Sequence, residues 1–290
     1  LPPALFSLDP DHLWLMHCSE GPMPRPAMGA VRSFLYKELM PWDLKWQEDF
    51  LGLPAQTRAE AARLLGVPPE DLTLTATTSS GLQAVAFGFP FKGGDEVLVP
   101  LGEFPSNAWP WLALRDRGVS FREVPLWEGH RGGALALDSA PPQGELEAED
   151  RILRAISGRT RLVSVSWVRF QDGLRLNLTR LAEGCRSKGV PLVVDGIQGC
   201  GTHAVDLTGV SAFATGGHKG LLSPQGLGFL WTDPTFRARL LPAGTWLSVD
   251  QGTDFSRPST DFDRAFLEDG RRLEPGSPPL LMAAALQASL

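Results

Sequence analysis

Lysine is scarce in this chain, with five among 27 Lys+Arg. Lys37, Lys45, Lys92 and Lys188 occur in polar helical stretches or a Lys-Gly-Gly turn and read as surface residues. Lys219 differs, because it lies in ATGGHKG (residues 214–220) and is followed by the apolar Leu221 and Leu222. Glycines at that density let another group approach the backbone. Desolvation lowers a lysine pKa, and a neutral amine is what forms a Schiff base with a carbonyl. Asp195 ends the apolar run VPLVVD (190–195), with Gln198 three residues on. A carboxylate at the mouth of a buried strand needs a partner. It could be a cationic ligand group, or the aspartate could simply cap the following turn. A third group is TTSSG (77–81), whose hydroxyls and backbone N–H groups open a helix where the dipole favours an anion. It is neither a GK[ST] phosphate loop nor GxGxxG, and an ordinary N-cap cluster is its plain alternative.

The surrounding pattern supplies elements to position these groups. Residues 72–76, 96–100, 161–167 and 190–195 are short Val- and Leu-rich runs that read as buried strands. Segments 57–65, 82–87, 109–117, 178–189 and 280–290 carry helical spacing, and the first is closed by GVPP (66–69). Strands alternating with helices predict an α/β fold with a parallel sheet covered on both faces. In such sheets ligands bind beyond the carboxyl ends of the strands, where TTSSG and Asp195 both fall.

Taken together, an anion cup, a strand-end aspartate and a pocket lysine match the needs of pyridoxal 5′-phosphate. The cup would hold its phosphate, the aspartate would keep its ring nitrogen protonated, and the lysine would bind its aldehyde. The ordered set is far more specific than any member alone.

Asp195-Gly-Ile-Gln198, then Gly217-His218-Lys219 and SPQGLG (223–228), resemble the class V aminotransferase group of fold-type I pyridoxal-phosphate enzymes. That group includes cysteine desulfurases, kynureninases and isopenicillin N epimerase-like proteins. The resemblance runs from about Trp14 to the C-terminus. It implies a mostly parallel central sheet flanked by helices, Lys219 as the Schiff-base lysine and Asp195 as partner of the pyridine nitrogen. It further implies Gln198 at the ring hydroxyl, Thr78, Ser79, Ser80 and His218 at the phosphate, and Phe104 stacked on the ring. The segment LEPGS (273–277) resembles the family's Glu-x-Gly-Thr/Ser element, so Ser277 would reach the phosphate of the other subunit in a homodimer with shared active sites.

Several positions depart from the family pattern. Phe104 stands where many desulfurases have histidine. Gly216 replaces a serine before Gly-His-Lys, with Thr215 as a possible substitute, and Phe170 replaces an asparagine, with Arg169 or Gln171 as possible substitutes. Family members continue for on the order of 100 residues past the Ser277 element. The resemblance therefore implies an N-terminal arm (1–30), a large cofactor domain (31–265) and only the start of a truncated C-terminal small domain (266–290). The expected activity is that of an enzyme acting on an amino acid, an aminotransferase first. A kynureninase-like or desulfurase-like lyase, an epimerase and a non-catalytic binding protein are the alternatives.

Composition narrows the field. The 290 residues are 43% hydrophobic and 21% charged, as in ordinary globular domains. A net charge of −6 argues against nucleic-acid binding. No apolar run of membrane-spanning length and no basic, apolar leader is present, which predicts a cytoplasmic protein. Cys18, Cys185 and Cys200 form no CxxC pair, and neither His17-Cys18 nor Cys200 with His203 has zinc spacing, so no metal is expected.

Overall fold

The computed structural model describes residues 2–7, 9–130, 147–258 and 260–290. Helix α1 (Arg25–Leu39) starts behind Pro24 with a proline in its first turn, where a missing N–H costs nothing. A π-helical segment, Trp46–Gly52, leads into α2 (Leu53–Leu65), which ends at Gly66 in the left-handed region, φ 68°. Only glycine takes that C-terminal conformation freely. The chain continues through β1 (Leu72–Thr75), α3 (Thr78–Gly88), β2 (Glu96–Pro100) and the short α4 (Trp109–Leu112). Next come β3 (Ser120–Val124), α5 (Glu147–Ala155), β4 (Thr160–Ser166), α6 (Leu178–Ser187) and β5 (Leu192–Asp195). The last elements are β6 (Ala212–Gly216), β7 (Gly228–Thr232), α7 (Pro234–Arg237) and α8 (Leu280–Ser289).

The seven strands form one sheet in the order β1-β7-β6-β5-β4-β2-β3. Strand β7 is antiparallel to both its neighbours, and all other pairings are parallel. Six strands thus point one way and β7 alone runs back. This is the mostly parallel central sheet flanked by helices that the sequence led us to expect, with β7 as its antiparallel member. The helix expected over 109–117 is instead α4 followed by a separate 3-10 turn, Arg115–Arg117, which Gly118 closes in the left-handed region, φ 75°. The TTSSG segment is not a free turn but the first turn of α3, with Thr77 as N-cap.

Side chains alternate across the sheet. Leu98, Val163, Val165, Val194, Phe213 and Phe229 pack into the apolar layer containing residues of α2, α6 and α8. Val97, Val99, Leu162, Val193, Ala214 and Leu230 face the layer with Leu82, Val85 and Trp111. This period-two division is the signature of strands buried on both faces. Burying these apolar side chains stabilises the sheet by roughly 25 cal/mol per Å² removed from water. Helix α8 packs on α1 and α2, and the Thr57 hydroxyl donates to the Ala283 carbonyl at 3.2 Å. No helix among the described residues is long and apolar enough to cross a membrane.

Candidate active site

Because β1, β2, β4, β5 and β6 point the same way, the segments after them converge at one end of the sheet. They enclose a cavity of about 460 Å³ whose wall includes Thr78, Ser79, Phe104, Asp195, Gln198, His218 and Lys219. Chain segments as far apart as Cys18 and Lys219 are brought together there. Nothing in sequence spacing alone places them side by side.

Asp195 is 2% exposed. Its Oδ1 accepts from the Ile197 N–H at 3.0 Å, the turn-capping role that was the plain alternative. Its Oδ2 is buried and has no partner. A buried carboxylate oxygen in that state carries its full desolvation cost, which a cationic N–H donor in the cavity would relieve. Burial pushes the Asp195 carboxyl up to about 7, the Glu103 charge adds to the rise, and the Ile197 N–H and Lys219 oppose it. Lys219 is the complement: burial lowers its pKa, while Asp195, Cys18 and Glu20 pull it back up. Its Nζ lies 5.4 Å from the centroid of the Phe104 ring, within cation–π range. Burial likewise lowers the His218 pKa.

The N-terminal turn of α3 forms the opposite wall. The Thr77 hydroxyl accepts from the Ser80 N–H at 3.0 Å, and the Thr77 N–H donates to Ser80 Oγ at 2.9 Å. This reciprocal capping box satisfies two helix-end donors. It also occupies Ser80, whose hydroxyl donates to the Thr77 carbonyl at 2.7 Å, so the structure does not bring Ser80 to the cavity wall. Thr77 lines the wall instead. The Ser79 hydroxyl donates to Ser106 Oγ at 2.8 Å, a loop residue also facing the cavity. Ser277 is exposed and is not part of this wall.

The departures acquire physical detail. A Cβ on Gly216 would stand 3.1 Å from Ile197 and 3.2 Å from His218, so the glycine makes room for the histidine. Thr215 is buried in β6 and donates to the Gly216 carbonyl at 3.1 Å, away from the cavity wall. Phe170 packs edge-on against Phe104 at 5.0 Å and lines the cavity. Arg169 is buried in contacts to Asp172 at 3.0 Å, the Leu101 carbonyl at 3.1 Å and Gln171 at 2.9 Å. It holds the loop rather than the cavity.

Two wall residues have no sequence signal of their own. Cys18 and Ser19 enter from the N-terminal arm. Gln198 Nε2 donates to the Cys18 carbonyl at 2.9 Å and the Gly21 N–H to the His218 carbonyl at 2.8 Å. Glu103 is not on the wall itself but precedes Phe104: its carboxylate accepts from the Ser166 N–H at 2.8 Å and from the Ser166 hydroxyl, and burial raises its pKa. The residue types at Glu103 and Phe104 are visible in sequence, but their clasp on β4 is a tertiary fact.

Comparison with known proteins identifies the family. The family model for class-V aminotransferases matches residues 45–290. A probable cysteine desulfurase of Methanothermobacter thermautotrophicus is 30% identical over 258 residues, 83% of this chain and 59% of that protein. An isopenicillin N epimerase of Streptomyces clavuligerus is 31% identical, over 78% of this chain and 55% of its own length. The chain therefore spans little more than half the length of these two relatives. Among solved structures, the cystine C–S lyase C-DES superposes with a TM-score of 0.79 at 24% identity, covering 94% of this chain and 69% of that one. The cysteine desulfurase CsdA of Escherichia coli gives 0.74 at 22% identity, covering 94% and 65%. Those two likenesses concern the fold, and with the matched family model they lead to one statement: the chain belongs to the class-V aminotransferase family.

Proposed function

We propose that this chain binds pyridoxal 5′-phosphate and carries the cofactor half of a cytoplasmic, homodimeric enzyme that acts on an amino acid, an aminotransferase first. The observation that carries this reading is the buried, partnerless Oδ2 of Asp195 in one cavity with Lys219. A protonated pyridine nitrogen is the kind of donor that oxygen lacks. Thr78, Ser79 and His218, beside the N-terminus of α3, suit a phosphate. Phe104 offers an aromatic face to a cationic ring, and Gln198 an amide at its edge.

When bound, the cofactor supplies an electron sink for charge released at the substrate Cα. The residues do the rest. Asp195 Oδ2 would accept from the ring N–H and hold its charge. Lys219, its proton affinity lowered by burial, would hold the cofactor through a neutral Nζ and would be the group that takes up and returns a proton at the substrate Cα. Ser277, exposed on its own chain, is assigned to the phosphate of a second copy. The cytoplasmic assignment is supported by three free cysteines among the described residues.

The test is borohydride reduction of the protein incubated with the cofactor, followed by peptide mapping. A pyridoxyl group on Lys219, lost in Lys219→Ala, is the expected outcome. An unlabelled Lys219 sinks the proposal. A C–S lyase is the second reading, favoured by the relative named a probable cysteine desulfurase. Release of sulfide or persulfide from cysteine or cystine, without amino transfer to a 2-oxo acid, would select it.

A further inference from the structure

The N-terminal arm is the least expected part of the cavity. Its backbone is fastened at two points, by Gln198 to the Cys18 carbonyl and by Gly21 to the His218 carbonyl. Gln225 adds a third contact, donating to Glu20 at 3.0 Å. A Cβ on Gly21 would fall 2.3 Å from the Lys219 carbonyl oxygen, so the arm lies directly against the lysine segment. The Cys18 side chain is exposed and lines the cavity, and its thiol is among the groups whose charge acts on Lys219. The same cavity contains the unpartnered Oδ2 of Asp195, which marks it as built for a ligand.

We propose that Cys18 is a modification site for low-molecular-weight disulfides, and that the mixed disulfide it forms closes the cavity over Lys219. This rests on the reading of the cavity as the ligand site. The Cys18 thiolate attacks one sulfur of the disulfide; the new S–S bond forms as the old one breaks. The departing thiolate takes the proton that Cys18 gave up. Cys18 is oxidised to the disulfide level and one sulfur of the reagent is reduced to a thiol. The other two cysteines are poor competitors, since both are buried and burial pushes their thiols up to about 12. A tripeptide-sized group on Cys18 would stand between solvent and the lysine.

Oxidised glutathione is the probe. The 290-residue chain is treated with it without added cofactor, and adducts are mapped by mass spectrometry. The rate at which an amine-reactive acylating reagent labels Lys219 is then measured. The expected result is one adduct, on Cys18, with Lys219 acylation slowed at least tenfold and restored by dithiothreitol. In Cys18→Ser and Cys18→Ala the rate should be indifferent to oxidised glutathione. An adduct on Cys18 that leaves Lys219 acylation unchanged overturns the proposal, as do adducts on Cys185 or Cys200 in preference to Cys18. Because acylation needs no cofactor, a chain that takes no pyridoxyl label would defeat the proposed function and still score this one.

Discussion

Asp195 is both a turn cap and an unsatisfied acid, and the two oxygens divide those roles. Its burial has a consequence for stability that follows from proton linkage. The folded-state carboxyl titrates at about 7, against 3.8 as its ordinary value. Between those values the folded chain holds a proton that the unfolded chain has released, so stability falls as pH rises through the window. The loss is on the order of 4 kcal/mol for a shift of this size. Cofactor-free protein should therefore melt at lower temperature at pH 8 than at pH 5. Asp195→Asn, which has no proton to release there, should flatten the dependence while weakening cofactor binding. Equal pH slopes in the two proteins would remove Asp195 as the cause. The roles of Asp195 and Lys219 could be suggested from sequence because both sit in short segments of unusual composition. A run of hydroxyl residues does not reveal which member the capping box will use, and that member is Ser80.

At the scale of elements, the loop after β2 shows how one carboxylate places an aromatic ring. Glu103 clasps Ser166 at the end of β4, and Ser166 is paired with Asp195 in the sheet register. Phe104 is the next residue. Loss of the clasp leaves the Ser166 N–H without its acceptor, a cost of about 1–3 kcal/mol. Glu103→Ala should thus lower the melting temperature and also reduce pyridoxyl labelling of Lys219, by freeing Phe104. Glu103→Gln, which keeps an acceptor oxygen, should recover most of both. A variant that destabilises without altering labelling would show that the clasp only supports the fold. Strand β2 was legible residue for residue because Val97, Leu98 and Val99 form a short apolar run with two β-branched members, closed by Pro100. Strand β6, AFATG, was not, since its small residues exist for packing: a Cβ on Gly81 of α3 would lie 3.1 Å from Ala214. Edge strand β3, SFREV, was hidden by its exposed Ser, Arg and Glu. Helix α1 lacks a continuous apolar stripe, with only Ala27 and Phe34 buried.

The whole molecule is held together at positions remote from the cavity. Arg237 is buried and ties α7 to three other segments: Nη2 donates to Asp71 at 2.9 Å, Nε to the Glu268 carbonyl at 2.7 Å and Nη1 to the Thr232 carbonyl at 3.0 Å. Removing one member of a buried ion pair strands the other charge, at about 3–5 kcal/mol. Arg237→Met should destabilise by that amount in denaturant titration. The double change with Asp71→Leu should cost less than the sum of the two single changes. Strict additivity would mean that the two side chains do not act as a pair.

The one reversed strand also sets the order in which the chain can assemble. Strand β1 has no strand neighbour until β7 exists, and residues 72 and 232 are separated by most of the polypeptide. At about 5–20 residues per second of synthesis, the β1 edge waits roughly 8–30 s for its partner. Residues 72–75 and the hydroxyl turn behind them are therefore exposed to chaperones and proteases on the ribosome long after they have emerged, and the ligand cup is among the last features of a nascent chain to close.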